Sequence, residues 1–419
     1  MAPRLRASIV ASGSELVRGD RQDRNGPYLA ASLLRLGIDP VRLTVVGDEP
    51  AELEAALRGG LDDDLLVVSG GLGPTHDDRT IELLARAAGR PIMVDEQLAH
   101  EIEALSRRVA ERLNRPYTDF ADGVRKQASL PEGAEWVGLV GTAPAVVLDT
   151  GSCVAVALPG PPRELQELWP RVLETRPLVA LRERAEAPGR RVLRLFGVSE
   201  SAVAQTLAAA GGDGDGVAVT ICARDFEIHV DLFVEAGAEA RGAALEAALV
   251  EANEPYLFSR DERTTAALVL DLLKERGLTL ATAESCTGGL VAARLTAVPG
   301  ASDVFLGAVV AYSNEVKAAQ LGVPEDVLAA HGAVSEQAAA AMAHGARTQL
   351  GADVAVAVTG VAGPGGGTEE KPVGLVFLHA AGPAGELARR LDFPGDRETI
   401  RQRAAVAALH LARRLVTQP

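Results

Sequence analysis

Four short stretches in the last third of the chain carry side chains whose types and spacing could do chemistry. The first, Thr282-Ala283-Glu284-Ser285-Cys286-Thr287-Gly288-Gly289, leaves an apolar strand-like run and enters a helical one. A serine at such a corner lies beside helix N–H groups that lack an intrahelical acceptor, and these suit a developing oxyanion. Cys286, Thr287, Gly288 and Gly289 would supply those amides, and the two glycines let a ligand approach the backbone. Taken alone, Ser285 reads more readily as an ordinary helix cap. Cys286 is the rival nucleophile, being adjacent and more acidic than a hydroxyl.

The second stretch, Tyr312-Ser313-Asn314-Glu315-Val316-Lys317, follows the next apolar run, so its side chains reach the same sheet edge if the strands are parallel. Neither stretch holds a histidine, which argues against a Ser–His–Asp triad. A lysine that loses its proton through desolvation can act as the base instead. The plainer readings are an exposed lysine and a core tyrosine. Asn314 is a further candidate for substrate contact. Third comes Val358-Thr359-Gly360-Val361-Ala362-Gly363-Pro364-Gly365-Gly366-Gly367, where Gly360, Gly363 and their neighbours offer free amides and Thr359 a hydroxyl. Fourth, Pro394-Gly395-Asp396-Arg397 opens the last helix with Arg401 one turn on. Either arginine could grip a phosphate, or merely pair with Asp396 or Glu398.

A comparable constellation lies near the start. Ser69-Gly70-Gly71-Leu72-Gly73-Pro74-Thr75-His76-Asp77-Asp78 follows a buried strand and precedes a helix. Gly70, Gly71, Gly73 and Thr75 could hold an anion, and Asp77 and Asp78 a divalent cation such as Mg2+. Glu15, Asp23, Asn25 and Asp48 fall just past earlier strands at the same expected edge, so the acidic ones join the metal-ligand candidates. Capping is the bland alternative for each Asp.

These loops need sheets to hold them. Strand-like Arg6–Ala11, Val41–Val46 and Leu65–Ser69 alternate with helical Asn25–Leu36, Ala51–Leu57 and Thr80–Ala88, a pattern expected of a parallel sheet covered on both faces. A polar helix, Glu96–Leu113, follows, and the runs Ala145–Leu148 and Cys153–Leu158 close the sheet. Charged Arg182–Arg191 marks a boundary. Beyond it, helical Glu200–Ala209, strands Val217–Ala223 and Phe226–Val234, and helix Ala238–Glu251 make a small α+β unit. The last domain has strands at Leu278–Thr282, Val304–Tyr312, Val354–Val358 and Val373–His379, with helices at Thr264–Glu275, Glu325–Ala330, Glu336–Leu350 and Arg397–Val416. The expected architecture is α/β: two three-layer α/β/α domains, 1–175 and 259–419, joined by an α+β domain at 176–258.

Composition narrows the function. A net charge of −15 and 3% aromatic content argue against a nucleic-acid partner. Cys153, Cys222 and Cys286 lack metal-ligand spacing and point to a reducing compartment. The start of the chain shows no leader-like apolar core, and no uncharged apolar run reaches the ~20 residues a membrane span needs. A cytoplasmic protein with no membrane partner is expected.

In order and spacing, the four C-terminal stretches closely resemble the CinA C-terminal (PncC-type) nicotinamide-nucleotide amidases. That resemblance implies hydrolysis of the carboxamide of nicotinamide mononucleotide to nicotinate mononucleotide and ammonia, with no cofactor. It implies Ser285 as nucleophile and Lys317 as base, Tyr312 and Thr359 assisting, and Arg397, or else Arg401, on the substrate. The first half resembles the molybdopterin-binding, MoaB/MogA-like domain of CinA proteins, through Gly13-Ser14-Glu15-Leu16, Asp23-Arg24-Asn25, Gly47-Asp48, the Gly70–Thr75 loop, Gly141-Thr142-Ala143-Pro144 and Leu158-Pro159-Gly160. Here the implication is a divalent-metal-dependent ADP-ribose pyrophosphatase, or alternatively a pterin-binding or regulatory module. Arg24 and Ala145 depart from the pattern, where Thr and Gly are usual. The middle segment, with Phe196-Gly197-Val198-Ser199-Glu200-Ser201, resembles the family's KH-like connecting domain and reads as a spacer; it lacks a basic Gly-x-x-Gly clamp for RNA. A homodimer is the expected assembly.

Overall fold

The computed structural model describes residues 4–418, apart from the side chains at 119, 120 and 122; the first three residues, on which the leaderless reading partly rests, lie outside it. It packs as two units, one holding the chain up to Gly189 with Val234–Glu239, the other Arg190–Phe233 and the chain from Ala240 onward.

The first unit contains strands β1 (Leu5–Ser12), β2 (Ile38–Val46), β3 (Leu65–Ser69), β4 (Ile92–Val94), β5 (Ser129–Pro131), β6 (Ala134–Leu139), β7 (Pro144–Asp149) and β8 (Val154–Leu158). Six form one sheet in the order β2-β1-β3-β8-β7-β6. Helices cover both faces, with Leu29, Leu33 and Trp169 packed on one and Leu57, Leu83 and Ile102 on the other. The sheet is mixed rather than parallel throughout. β1 runs parallel to β2 and β3, and β3 to β8, but β7 is antiparallel to both neighbours. The reason lies in the four-residue link Thr150–Cys153 between β7 and β8, far too short for the crossover that a parallel pair requires.

The second unit begins with β9 (Gly189–Leu195), β10 (Val217–Arg224), β11 (Glu227–Val234) and β12 (Leu257–Ser259), in the order β10-β11-β9-β12. It continues with β13 (Leu280–Glu284), β14 (Phe305–Val310), β15 (Val354–Gly360), β16 (Leu375–Gly382) and β17 (Gly385–Asp392), ordered β14-β13-β15-β16-β17. β14, β13 and β15 are parallel, whereas β16 and β17 form an antiparallel hairpin at one side. Sequence reading placed the fourth strand early, at Val373–His379, and missed β17 altogether. That strand carries Glu386, Arg389 and Arg390, the charged composition by which an edge strand resists pairing with another chain. The helices Thr265–Arg276 and Arg397–Thr417 pack on one face, and Glu336–Leu350 on the other.

The small sheet is no free spacer. Glu227 of β11 is buried and accepts hydrogen bonds from His410 Nε2 (2.8 Å) and the Thr265 hydroxyl, both on helices of the larger sheet. Phe196 stacks on His410 with ring centroids 3.8 Å apart. No helix among the described residues is long and apolar enough to cross a membrane.

Candidate active site

Because β13, β14 and β15 are parallel and in register, Glu284, Val310 and Val358 finish at one edge. Open α/β sheets hold ligands at such an edge. Just past it stand Ser285 and, from the neighbouring strand's exit, Lys317. Ser313 caps the intervening helix Asn314–Leu321 by accepting from the Val316 amide, which fixes the first turn and so the root of Lys317.

Lys317 is 1% exposed, and its Nζ lies 3.2 Å from Ser285 Oγ, 2.9 Å from the Ala311 carbonyl and 3.4 Å from that of Tyr312. Burial pushes the amine below its ordinary value, against weaker opposing pulls from Cys286 and Glu315. A neutral amine has two N–H groups and one lone pair. With the two carbonyls taking the N–H groups, the lone pair is left for the serine hydroxyl. The same contacts would let an ammonium donate to all three, so the geometry serves both halves of a proton shuttle. The exposed-lysine reading therefore fails, and so does a cap role for Ser285: the helix start is capped by another residue.

That residue is Glu284, unnoticed in the sequence. Fully buried, its carboxylate accepts from the amides of Gly289 (2.9 Å), Val291 (3.1 Å) and Ala292 (2.9 Å). The Gly288 amide bonds the Ser285 carbonyl. Two of the four expected oxyanion donors, Gly288 and Gly289, are thus committed. Their left-handed φ values of 61° and 96° instead let the turn fold back tightly. The amides of Cys286 and Thr287 have no protein acceptor among the described residues. Of these two, Cys286 lies in the cavity wall and is the one placed for an oxyanion. The Cys286 thiol is pushed up to about 11 by burial, which leaves it protonated at neutral pH and a poor rival to Ser285.

Ser285 and Lys317 line a cavity of about 280 Å3 with Cys286, Tyr312, Asn314, Thr359, Gly360, Gly363 and Arg397. Thr287, Gly288, Gly289 and Arg401 do not line it. Arg401 turns away to clamp the carbonyls of Cys286 (Nε, 3.2 Å) and Thr287 (Nη2, 3.0 Å), while its Nη1 pairs with Glu398. It braces the turn after Ser285, and Arg397 is the arginine at the cavity. Tyr312 is 59% exposed, not a core residue, and its hydroxyl accepts from Arg397 Nη2 at 2.6 Å; Arg397 Nη1 donates to the Gly363 carbonyl at 2.6 Å. The Thr359 hydroxyl donates to the Ala333 carbonyl at 2.7 Å. It thereby holds Ala333 and Val334, two cavity-lining residues that sequence reading missed. Their one signal was Ser335, which caps the next helix at the same edge.

In the first unit, Glu15, Asp23, Asn25, Asp48, Gly70, Gly71, Gly73, Asp77 and Asp78 line a cleft of about 860 Å3. Thr75 does not; its amide and hydroxyl are taken up by the Asp77 and Asp78 carboxylates. Asp23 caps the amides of Asn25 and Gly26, and Asp48 accepts from the Ser14 amide. Among the described residues no three of these carboxylates bring oxygens within 4.8 Å of one another. The cleft is acidic, yet Asp23, Asp48 and Asp78 are each engaged with backbone amides and Asp77 with the Thr75 hydroxyl. Asn25 donates to Ser69 Oγ and the Gly160 carbonyl, both at 2.7 Å, and leaves its own carbonyl oxygen buried without a partner, as is Ser12 Oγ.

Both halves of the chain match known families. Residues 262–416 match the family model described as the CinA C-terminal domain, and residues 8–179 one described as a probable molybdopterin binding domain. A CinA-like protein of Mycolicibacterium paratuberculosis is 44% identical over 431 residues, spanning 98% of each chain. One from Mycobacterium tuberculosis is 43% identical over 427 residues, covering 100% of this chain and 99% of its own. Among solved structures, the competence/damage inducible protein CihA from Agrobacterium tumefaciens is 41% identical, with 38% of this chain and 99% of that one covered and a TM-score of 0.35. Identity of this order along nearly the whole length, with both domain types in sequence, makes the chain a member of the CinA family.

Proposed function

We propose that the C-terminal site hydrolyses the carboxamide of nicotinamide mononucleotide. The observation that carries this reading is the buried Lys317 amine, 3.2 Å from Ser285 Oγ and anchored by two backbone carbonyls. The Lys317 lone pair takes the hydroxyl proton as Ser285 Oγ attacks the amide carbon. Negative charge then develops on the carbonyl oxygen, and the Cys286 amide, next to Ser285 in the cavity wall, suits it. As the tetrahedral intermediate collapses, the Lys317 ammonium returns its proton to the departing nitrogen, and ammonia leaves. Water, deprotonated by the same amine, cleaves the ester to nicotinate mononucleotide and regenerates Ser285. Arg397 and the free amides of the Gly363–Gly367 loop suit the substrate's phosphate. The decisive assay is ammonia release from nicotinamide mononucleotide by wild type and Ser285→Ala; turnover surviving in the variant, or absent from the wild type, refutes the reading.

For the N-terminal cleft the proposal is nucleotide binding, with ADP-ribose as ligand and a divalent metal for its hydrolysis. The carboxylates as placed do not assemble a metal site, so no step is derived through one. That same observation favours a second reading, in which the cleft binds a pterin or nucleotide as a regulatory module without turnover. Full-length Ser285→Ala incubated with ADP-ribose and Mg2+, Mn2+ or Co2+ separates them. AMP release supports hydrolysis; binding without release supports the module. The acidic chain, as a cytoplasmic homodimer, would act on small nucleotides rather than DNA.

A further inference from the structure

We propose that the seam between the helix Glu336–Leu350 and the β16–β17 hairpin is a transition-metal site, taking one Zn2+-like ion through His344, His379 and Glu386. Their ligand atoms all lie within 4.8 Å of one another, the one such trio among the described residues. Glu386 sits between the two imidazoles, with Oε1 3.3 Å from His344 Nε2 and Oε2 3.0 Å from His379 Nε2. For bonds of about 2.0–2.2 Å, tetrahedral neighbours on zinc stand about 3.3 Å apart. The two measured edges are of that length but run to different oxygens of the carboxylate, and the three ligand atoms lie within 4.8 Å of one another, so a small rotation of Glu386 and His344 closes the shell around an ion.

The fold builds this arrangement from three elements. Ala381 pairs with Glu386 and His379 with Ala388 across the hairpin, so residues 379, 381, 386 and 388 share one sheet face. Ala381 belongs to the core cluster that also holds Met342, Ala343 and Ala346 of the covering helix, and that helix brings His344 to the same place. His379 is 6% exposed, whereas His344 is exposed and Glu386 is 48% exposed in its side chain. One rigid buried ligand with two at the surface leaves a path for the ion and room for water as the fourth ligand. Two imidazoles with one carboxylate select zinc, nickel or cobalt over magnesium and calcium, which prefer oxygen. His379 Nδ1 is buried without a partner. The site lacks, at His379, the outer hydrogen bond that tightens metal–histidine bonds, which weakens it by about 10- to 100-fold against a fully braced site.

A bound ion would staple the helix to the edge hairpin. The start of that helix adjoins Ala333 and Val334 in the wall of the Ser285 cavity, so the staple stiffens that wall from a position outside the cavity. The test uses the untagged full chain with Cys222→Ser, which removes the exposed thiol. Titration with Zn2+ is followed by calorimetry and melting temperature, and with Co2+ by its visible absorption. The expected result is one equivalent bound, a raised Tm, and affinity lowered at least about tenfold in both His344→Ala and Glu386→Gln. Asp77→Asn with Asp78→Asn should leave this equivalent intact. Both ligand changes lie at the surface, and unaltered metal-free Tm values would show that folding is kept. Equal binding in the variants and the parent, or no Zn2+ binding by the parent, overturns the proposal.

Discussion

Replacing Lys317 with methionine tests the centre of the mechanism, because the side chain keeps nearly the same length and loses only the amine. An ordinary lysine is neutral in about one molecule in a thousand at pH 7.5. Burial lowers the Lys317 value, and each unit of lowering multiplies the reactive fraction tenfold. General-base assistance of this kind contributes about 10²–10⁴ in rate, so Lys317→Met should lower kcat for nicotinamide mononucleotide by that factor, about 2.7–5.5 kcal/mol of barrier. Stability should move far less. The variant loses contacts to the Ala311 and Tyr312 carbonyls, but it also escapes the cost of burying an amine. The wild-type pH profile carries the sign. In the proposed mechanism the neutral amine is the active form, and its pKa lies below 10.5, so kcat/KM should climb with pH and level off before that value. Ammonia release measured across pH, alongside a melting curve, gives both readouts. A variant with more than about a tenth of wild-type kcat, or a wild-type profile that falls as pH rises from acid to neutral, would refute the reasoning.

Other outcomes follow from the same contacts. Cys286→Ala should retain activity within a few-fold, since its thiol, pushed up to about 11, is protonated at neutral pH; loss of ammonia release comparable to Ser285→Ala would reverse the nucleophile. Arg397→Ala should raise KM roughly 10- to 100-fold, the worth of a charge-assisted hydrogen bond, and do so for a phosphorylated substrate much more than for its nucleoside. In the second unit, burial would raise the Glu227 carboxyl, but the nearby His229 imidazole, 3.6 Å away, and hydrogen bonds from His410 and Thr265 outweigh it and hold it at about 2. A carboxylate depressed on folding stabilises above its unfolded value of 4.5 and loses that contribution as pH falls toward 2, up to about 3 kcal/mol. Burial also lowers the His410 value, so protonation of the unfolded chain below 6.5 acts in the same direction. Denaturant unfolding between pH 7 and 3 should show a steeper acid loss in wild type than in Glu227→Gln, and equal slopes would contradict this.

How much of this was legible depended on whether the physics was local. Ser285, Lys317 and the Gly360–Gly363 loop could be read because strand-to-helix corners in a parallel sheet gather at one edge, and sequence displays both the corners and their residue types. Arg397 and Arg401 could not be told apart, because they sit one helical turn apart and only packing decides which faces the cavity. The parallel pairing of β1, β2 and β3 follows from strands that alternate with helices, whereas the antiparallel β7 is signalled only by the short Thr150–Cys153 link, because apolar runs alone carry no direction. His344, His379 and Glu386 were invisible as a group: their separations follow no ligand spacing, and only the hairpin register brings them together. Glu227 and His410 are further apart still, and nothing local marks either as buried.

Glu284 shows most clearly why adjacency in sequence misleads. It precedes Ser285 directly, yet its carboxylate is spent behind the turn on the three amides that a nucleophile's helix would ordinarily offer to substrate. With the Ser285 amide held by the Val358 carbonyl at 2.9 Å and Arg401 clamping the next two carbonyls, the corner is fixed from several sides before any substrate arrives. Such fixing is what a serine–lysine pair needs. A lone pair on an amine is narrow in direction, and a hydroxyl free to rotate out of its line would leave the lysine buried at a cost with nothing to deprotonate. For the proposed reaction, the burial of Lys317 and the bracing of Ser285 in front of it are therefore one requirement, met by Glu284, Val358 and Arg401 around the turn.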